Sequence, residues 1–64
     1  MDFRERRNLK VGSKVSILMK QDEKNGGLTP GVVQEVLTKE SFHLKGIEVK
    51  LKTGQVGRVR VIKL

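Results

Sequence analysis

The sequence predicts a small all-β domain, a barrel of four to five antiparallel strands. Three observations lead there. Over residues 46–64, GIEVKLKTGQVGRVRVIKL, apolar residues alternate with charged ones, the period of two that marks a half-buried strand. Turn-forming pairs recur between the apolar runs: Asn25-Gly26, Pro30-Gly31 and Thr53-Gly54. Finally, a chain of 64 residues holds one domain, and a flat sheet of that size would leave an apolar face bare. A sheet that curls and closes covers the face and removes most of its edges.

The elements follow in order. Residues 1–9, MDFRERRNL, have no clean period and read as a basic arm that forms a helical turn or stays loose. Residues 10–64 are the barrel. In LKVGSKVSILMK, Val15, Ile17 and Met19 alternate with Lys14, Ser16 and Leu18, which predicts a strand over about 13–20. QDEKNGGLTPG is loop and turn chemistry, because Gly and Asn tolerate positive φ. VVQEVLT is a second strand over about 31–38. Its pattern is ambiguous: Val33 and Leu37 share a face with Glu35, and Val32 and Val36 share the other with Gln34. KESFHLK is a second loop.

The last stretch is a hairpin whose register follows from burial. Ile47, Val49 and Leu51 must face the same way as Val59 and Val61. A two-residue turn at Thr53-Gly54 would pair Val49 with Arg58 and mix the faces, which is costly where one face is buried. A three-residue turn, Lys52-Thr53-Gly54, with Gly54 in the left-handed region, pairs Ile47 with Val59 and Glu48 with Arg58. The predicted core is Val15, Ile17, Val33, Leu37, Ile47, Val49, Leu51, Val59 and Val61. Gly57, in mid-strand, marks a bulge or a close backbone approach.

The stretch LKVGSKVSI resembles the first strand of many SH3-like and KOW-like barrels: apolar, basic, Gly, two residues, then Val-x-Ile. The ordered set NLKVGSKVSI, GGLTPGVVQEVLT, HLKGIEVKL and GQVGRVRVI is similar to the small bacterial YwbE-like family over nearly the whole chain. The resemblance implies an SH3-like barrel and carries no settled activity. That family tends to have Pro after the histidine, where this chain has Leu44, and Arg in the third strand, where this chain has Lys50. Arg grips phosphate bidentately and Lys acts as a point charge.

Charge carries the functional signal. The formal charge is +7, from 14 Lys and Arg against 7 Asp and Glu. Residues 46–64 hold Lys50, Lys52, Arg58, Arg60 and Lys63 against Glu48 alone, a net +4. Period-two alternation places Lys50, Lys52, Arg58 and Arg60 on one outer face, with Glu48 partly holding Arg58. Arg60 falls opposite Gly46 with no acidic neighbour, so its guanidinium is the leading candidate for phosphate. Lys45 and Lys63 add charge nearby, His43 is a candidate for phosphate or base contact, and Arg4, Arg6 and Arg7 make a basic arm. A solvated face that resists aggregation would use the same residues.

Other chemistries find little support. There is no cysteine, hence no disulfide or thiolate site. The single histidine has no partner ligands in sequence, and no serine or threonine stands with a recognisable base. The expectation is no catalytic residue, metal, cofactor or small-molecule substrate. The glycines match no phosphate-loop spacing. Two phenylalanines, with no Trp or Tyr, cannot stack successive bases as single-strand binders do. The start has no apolar signal segment and no run of about 20 apolar residues, so a cytoplasmic protein off the membrane is expected. RNA or the ribosome, met through phosphates, is the expected partner. The alternative is a protein-interaction module using an apolar patch of Val32 and Val36. Oligomeric state is not legible.

Overall fold

A computed structural model describes residues 2–63. Four strands, β1 (Lys14–Leu18), β2 (Thr29–Val36), β3 (Glu48–Leu51) and β4 (Val56–Lys63), pair antiparallel in the order β1-β2-β3-β4 and close back on β1. This is the closed SH3-like barrel that the strand pattern predicts. Two short 3-10 turns, Arg6–Asn8 and Lys20–Asp22, complete the elements. Among the described residues no helix is long and apolar enough to cross a membrane.

The hairpin has the register that burial dictates. Glu48 lies opposite Arg58, Val49 opposite Gly57 and Lys50 opposite Val56. The Val59 amide donates to the Ile47 carbonyl at 2.8 Å, and the Leu51 amide to the Gln55 carbonyl at 2.8 Å. Lys52, Thr53 and Gly54 form the turn, with Gly54 at φ +93°. Gly57 is a close approach. A Cβ there would lie 2.7 Å from the Leu18 carbonyl oxygen and 3.0 Å from Ile17 Cδ1, so β4 can cross the end of β1 only without a side chain.

The core is Leu9, Val15, Ile17, Val33, Ile47, Val49, Leu51 and Val59, with Phe3, Met19, Val36 and Ile62 packed against it. Two of the predicted core residues do not belong to it. Val61 is 42% exposed, and Leu37 is only half-buried. In each case a bulge sets the side-chain phase. Along β4, Val59 faces Ile17 but Val61 faces Ser16 and Ile62 faces Val15. Arg60 is the extra residue, and Ile62 rather than Val61 turns inward. Along β2, Val33 faces Leu51, Glu35 faces Lys50 and Val36 faces Val49. Gln34 is the extra residue, and Val36 rather than Leu37 reaches the core. A bulge inserts one residue opposite none and so reverses the alternation beyond it.

The β2 bulge also corrects the reading of that strand's faces. Glu35 is exposed and shares no face with Val33. Val32 and Val36 lie on opposite sides, Val36 against the core and Val32 half-buried on the outside. The apolar patch expected of these two valines is not formed. β2 starts earlier than expected, with Pro30 and Gly31 inside it opposite Ser16 and Val15. Gly31 leaves the room that Leu51 fills, since a Cβ there would meet Leu51 Cδ1 at 2.6 Å.

Residues 2–9 lie against the barrel. The Phe3 carbonyl accepts from the Ile47 amide at 3.2 Å, the Arg4 carbonyl from His43 at 2.9 Å, and the Arg6 amide donates to the Ser41 carbonyl at 2.9 Å. Leu9 is in the core. Leu9, which the sequence pattern leaves in the arm, packs with the barrel's valines and isoleucines.

Candidate nucleic-acid interface

The candidate cations divide into four settings. The first is the N-terminal segment. Arg4 grips Asp2 with two donors, Nε to Oδ1 at 3.1 Å and Nη2 to Oδ2 at 3.2 Å, and its guanidinium lies 5.6 Å from the Phe42 ring centre. The Arg4 guanidinium holds the Asp2 carboxyl below its ordinary range, and Asp2 in turn raises Arg4. Arg6 donates from Nε to the Thr38 carbonyl at 2.9 Å. Arg7 pairs with Glu5 at 3.2 Å while remaining exposed.

The second setting is the β2–β3 side. Lys50 is half-buried, with Glu35 as its neighbour across the ladder. Lys52 sits in the hairpin turn, its amide donating to the Val32 carbonyl at 2.9 Å. Neither lines the cleft that holds Arg58 and Arg60. The bulge that displaces Val61 also takes Arg60 out of step with Arg58.

The third setting is a cleft of about 280 Å³ lined by Leu18, Glu23, Lys45, Arg58 and Arg60. Arg58 is not held by Glu48. Its Nη1 donates to the Gly46 carbonyl at 3.0 Å, and no Glu48 ion pair exists among the described residues. Arg60 is exposed and stands with its guanidinium 5.7 Å from the Phe3 ring centre. A ring below a guanidinium orders it through cation–π attraction and leaves its N–H edges outward. Arg60 has no carboxylate within 4.0 Å among the described residues. Lys45 is exposed, and its amide donates to His43 Nδ1 at 3.2 Å. His43 thus caps its own loop.

The fourth setting escaped the sequence reading. Arg7, Lys10, Lys14 and Lys63 line a cleft of about 520 Å³ that has no carboxylate residue in its wall. Lys14 stands directly opposite Lys63 across the β1–β4 ladder. Only barrel closure brings residues 14 and 63 together, so Lys10 and Lys14 gave no local signal.

Both aromatic rings are engaged by arginine, Phe3 by Arg60 and Phe42 by Arg4. The surface therefore presents cations rather than stacking platforms. Among the described residues no three of His, Cys, Asp and Glu gather as a metal site would require.

A family profile described as "Uncharacterized conserved protein (DUF2196)" matches residues 2–62. The chain belongs to this family. It is 45% identical over 58 residues to the uncharacterised protein YwbE of Bacillus subtilis strain 168, an alignment covering 91% of this chain and 89% of that one. The likeness to YwbE noted in the four sequence blocks is thus a family relationship across nearly the full length. No solved structure matches the chain significantly.

Proposed function

We propose that the chain is a non-catalytic, cytoplasmic nucleic-acid-binding module that meets RNA, free or within the ribosome, through the phosphate backbone. The observation that supports this most is Arg60. Its guanidinium is exposed, ordered over Phe3 and unpaired with any carboxylate among the described residues, in a cleft shared with Lys45 and Arg58. An ordered guanidinium loses little freedom when it forks onto a phosphate. Glu23 on the cleft wall disfavours a general anion sink and restricts where a phosphate sits. Engagement of both phenylalanines by arginine favours backbone over base contacts.

The test is a salt titration of mixed-sequence RNA binding by wild type and by a Lys45→Ala/Arg60→Ala variant. Arg58 is left in place because it holds the Gly46 carbonyl. Two phosphates held by Lys45 and Arg60 alone would give a slope of about −1.4 in log affinity against log salt, at roughly −0.7 per contact. The variant should lose affinity for every sequence and flatten the slope by about 1.4. Wild type that binds no RNA below about 50 mM salt, where such contacts are strongest, would return these cations to a solvated face. So would a folded variant that binds unchanged.

A further inference from the structure

The cleft of Arg7, Lys10, Lys14 and Lys63 is the larger and more uniformly cationic of the two described above, and the Lys45/Arg60 site does not use it. Three features mark it as more than a solvated surface. Lys14 and Lys63 are exposed and directly opposed on the outer face of one ladder. Like charges in that position destabilise the sheet, so the pair costs stability unless an anion lies between or beside them. Neither has a carboxylate within 4.0 Å among the described residues, and neither does Lys10. The turn Lys10-Val11-Gly12-Ser13 is closed on itself, with Ser13 N donating to the Lys10 carbonyl and Ser13 Oγ accepting from the Lys10 amide. That closure fixes the wall from which Lys10 projects.

The two clefts lie at opposite ends of the same pair of strands. Lys14 faces Lys63 at one end of the β1–β4 ladder, and Leu18 faces Arg58 at the other. The separation along β1 is four residues, roughly 13 Å at about 3.3 Å per residue. Between them Ser16 is buried and the opposing Val61 is exposed and uncharged, with Arg60 bulged out next along β4. One phosphate group cannot reach both ends, but a short strand of phosphates can.

We infer that the outer face of the β1–β4 ladder is a track for one single-stranded nucleic-acid segment, with Lys10, Lys14 and Lys63 holding phosphates several nucleotides from those held by Lys45 and Arg60. This inference rests on the proposed RNA-binding function and extends it with a second contact site and a direction of travel along the barrel. The site size is at least four nucleotides, at the low end of the range known for small barrel folds, roughly 4–16. Bases along the track are not stacked on aromatic rings, so length rather than sequence sets affinity.

The experiment is fluorescence anisotropy with end-labelled oligouridylates of three and ten nucleotides, for wild type and for a Lys14→Gln/Lys63→Gln variant. Circular dichroism checks the fold, which the variant should keep because both side chains are exposed and their repulsion is relieved. Wild type should bind the ten-mer roughly tenfold or more tighter than the three-mer, since further phosphate contacts are gained. The variant should lose most of the advantage of the ten-mer over the three-mer. Its ten-mer salt slope should flatten by about 1.4, from about −3.5 to about −2. A Lys10→Gln variant should flatten it by about 0.7. If wild type binds the ten-mer and the variant matches it in affinity and slope, the track is wrong and the Lys45/Arg60 cleft stands alone. If wild type binds neither oligonucleotide at any salt, the RNA-binding function and the track fall together.

Discussion

The arginines of the N-terminal segment and those of β4 look alike in sequence and are used differently in the fold. Arg4, Arg6 and Arg7 each have a partner nearby: the Asp2 carboxylate, the Thr38 carbonyl and the Glu5 carboxylate. Arg58 is likewise committed, to the Gly46 carbonyl. Arg60 has only the face of Phe3. A cation already neutralised by a carboxylate must give up that contact to take a phosphate. One tied to a carbonyl is held in orientation by the donor it has committed, and an ordered, unpaired one gives up little. Counting charges along a chain therefore finds the cations and misses which of them are available.

The N-terminal segment and β4 meet at Gly46. Gly46 has φ +106°, and a Cβ there would lie 2.6 Å from the Val59 carbonyl oxygen and 3.3 Å from Phe3 Cδ1. Gly46→Ala adds strain of about 1–3 kcal/mol from the backbone alone, on top of that clash. Against a total stability of roughly 3–5 kcal/mol for so small a core, the variant should be largely unfolded by circular dichroism at 25 °C. A cooperative urea transition at the wild-type midpoint would contradict this.

Thr38 is the platform to which the N-terminal segment is tied. Its carbonyl takes Arg6, and its hydroxyl oxygen accepts from the Glu48 amide at 2.8 Å. Thr38→Val leaves that amide without its acceptor and should cost about 1–3 kcal/mol in urea unfolding.

A pair of single substitutions sharpens the contrast directly. Arg6→Ala should lower stability by about 0.5–1.5 kcal/mol through its lost hydrogen bond and leave the salt slope of RNA binding unchanged. Arg60→Ala should do the reverse, flattening the slope by about 0.7 with little change in the urea midpoint. Equal effects of the two on the slope would erase the distinction.

The smallest effect is expected at Asp2. Its folded pKa lies below the ordinary value of 3.8 because Arg4 hydrogen-bonds the carboxylate. The folded state therefore takes up a proton less readily than the unfolded chain. The resulting stability is present above about pH 4 and is lost as pH falls through the lowered value. Asp2→Asn should remove that part of the acid limb and leave stability near pH 7 only slightly reduced, since the pair is solvent-screened. An acid unfolding curve identical to wild type would show that the pair contributes nothing.

Most of the fold was legible. The alternation in 46–64 and the position of Gly54 were enough to set the hairpin register, because a wrong register would bury Arg58. The errors at Leu37 and Val61 share a cause. VQEV at 33–36 and VRVI at 59–62 each place two inward apolar residues three apart, a spacing no regular strand gives. Each stretch contains a bulge, which strict alternation cannot represent. The site was less legible. Arg60, Arg58 and Lys45 do share a cleft, but Lys50 and Lys52 lie elsewhere, and pairing of Arg58 with Glu48 was expected where a backbone carbonyl takes its place. The Lys14/Lys63 pair could not be read at all, since its members are joined by the closure of the ring and by nothing local.

That closure has a kinetic side. The β3–β4 hairpin is joined through a three-residue turn, whereas the β1–β4 ladder joins residues as far apart as Lys14 and Lys63. The entropy lost in closing a loop grows with its length, so the hairpin assembles early and the β1–β4 seam late. Mutations should report this difference as rates. Val49→Ala, in the hairpin, should chiefly slow folding, and Ile17→Val, at the seam, should chiefly speed unfolding. Stopped-flow chevrons with the reverse assignment would show that the ring closes from the seam inward.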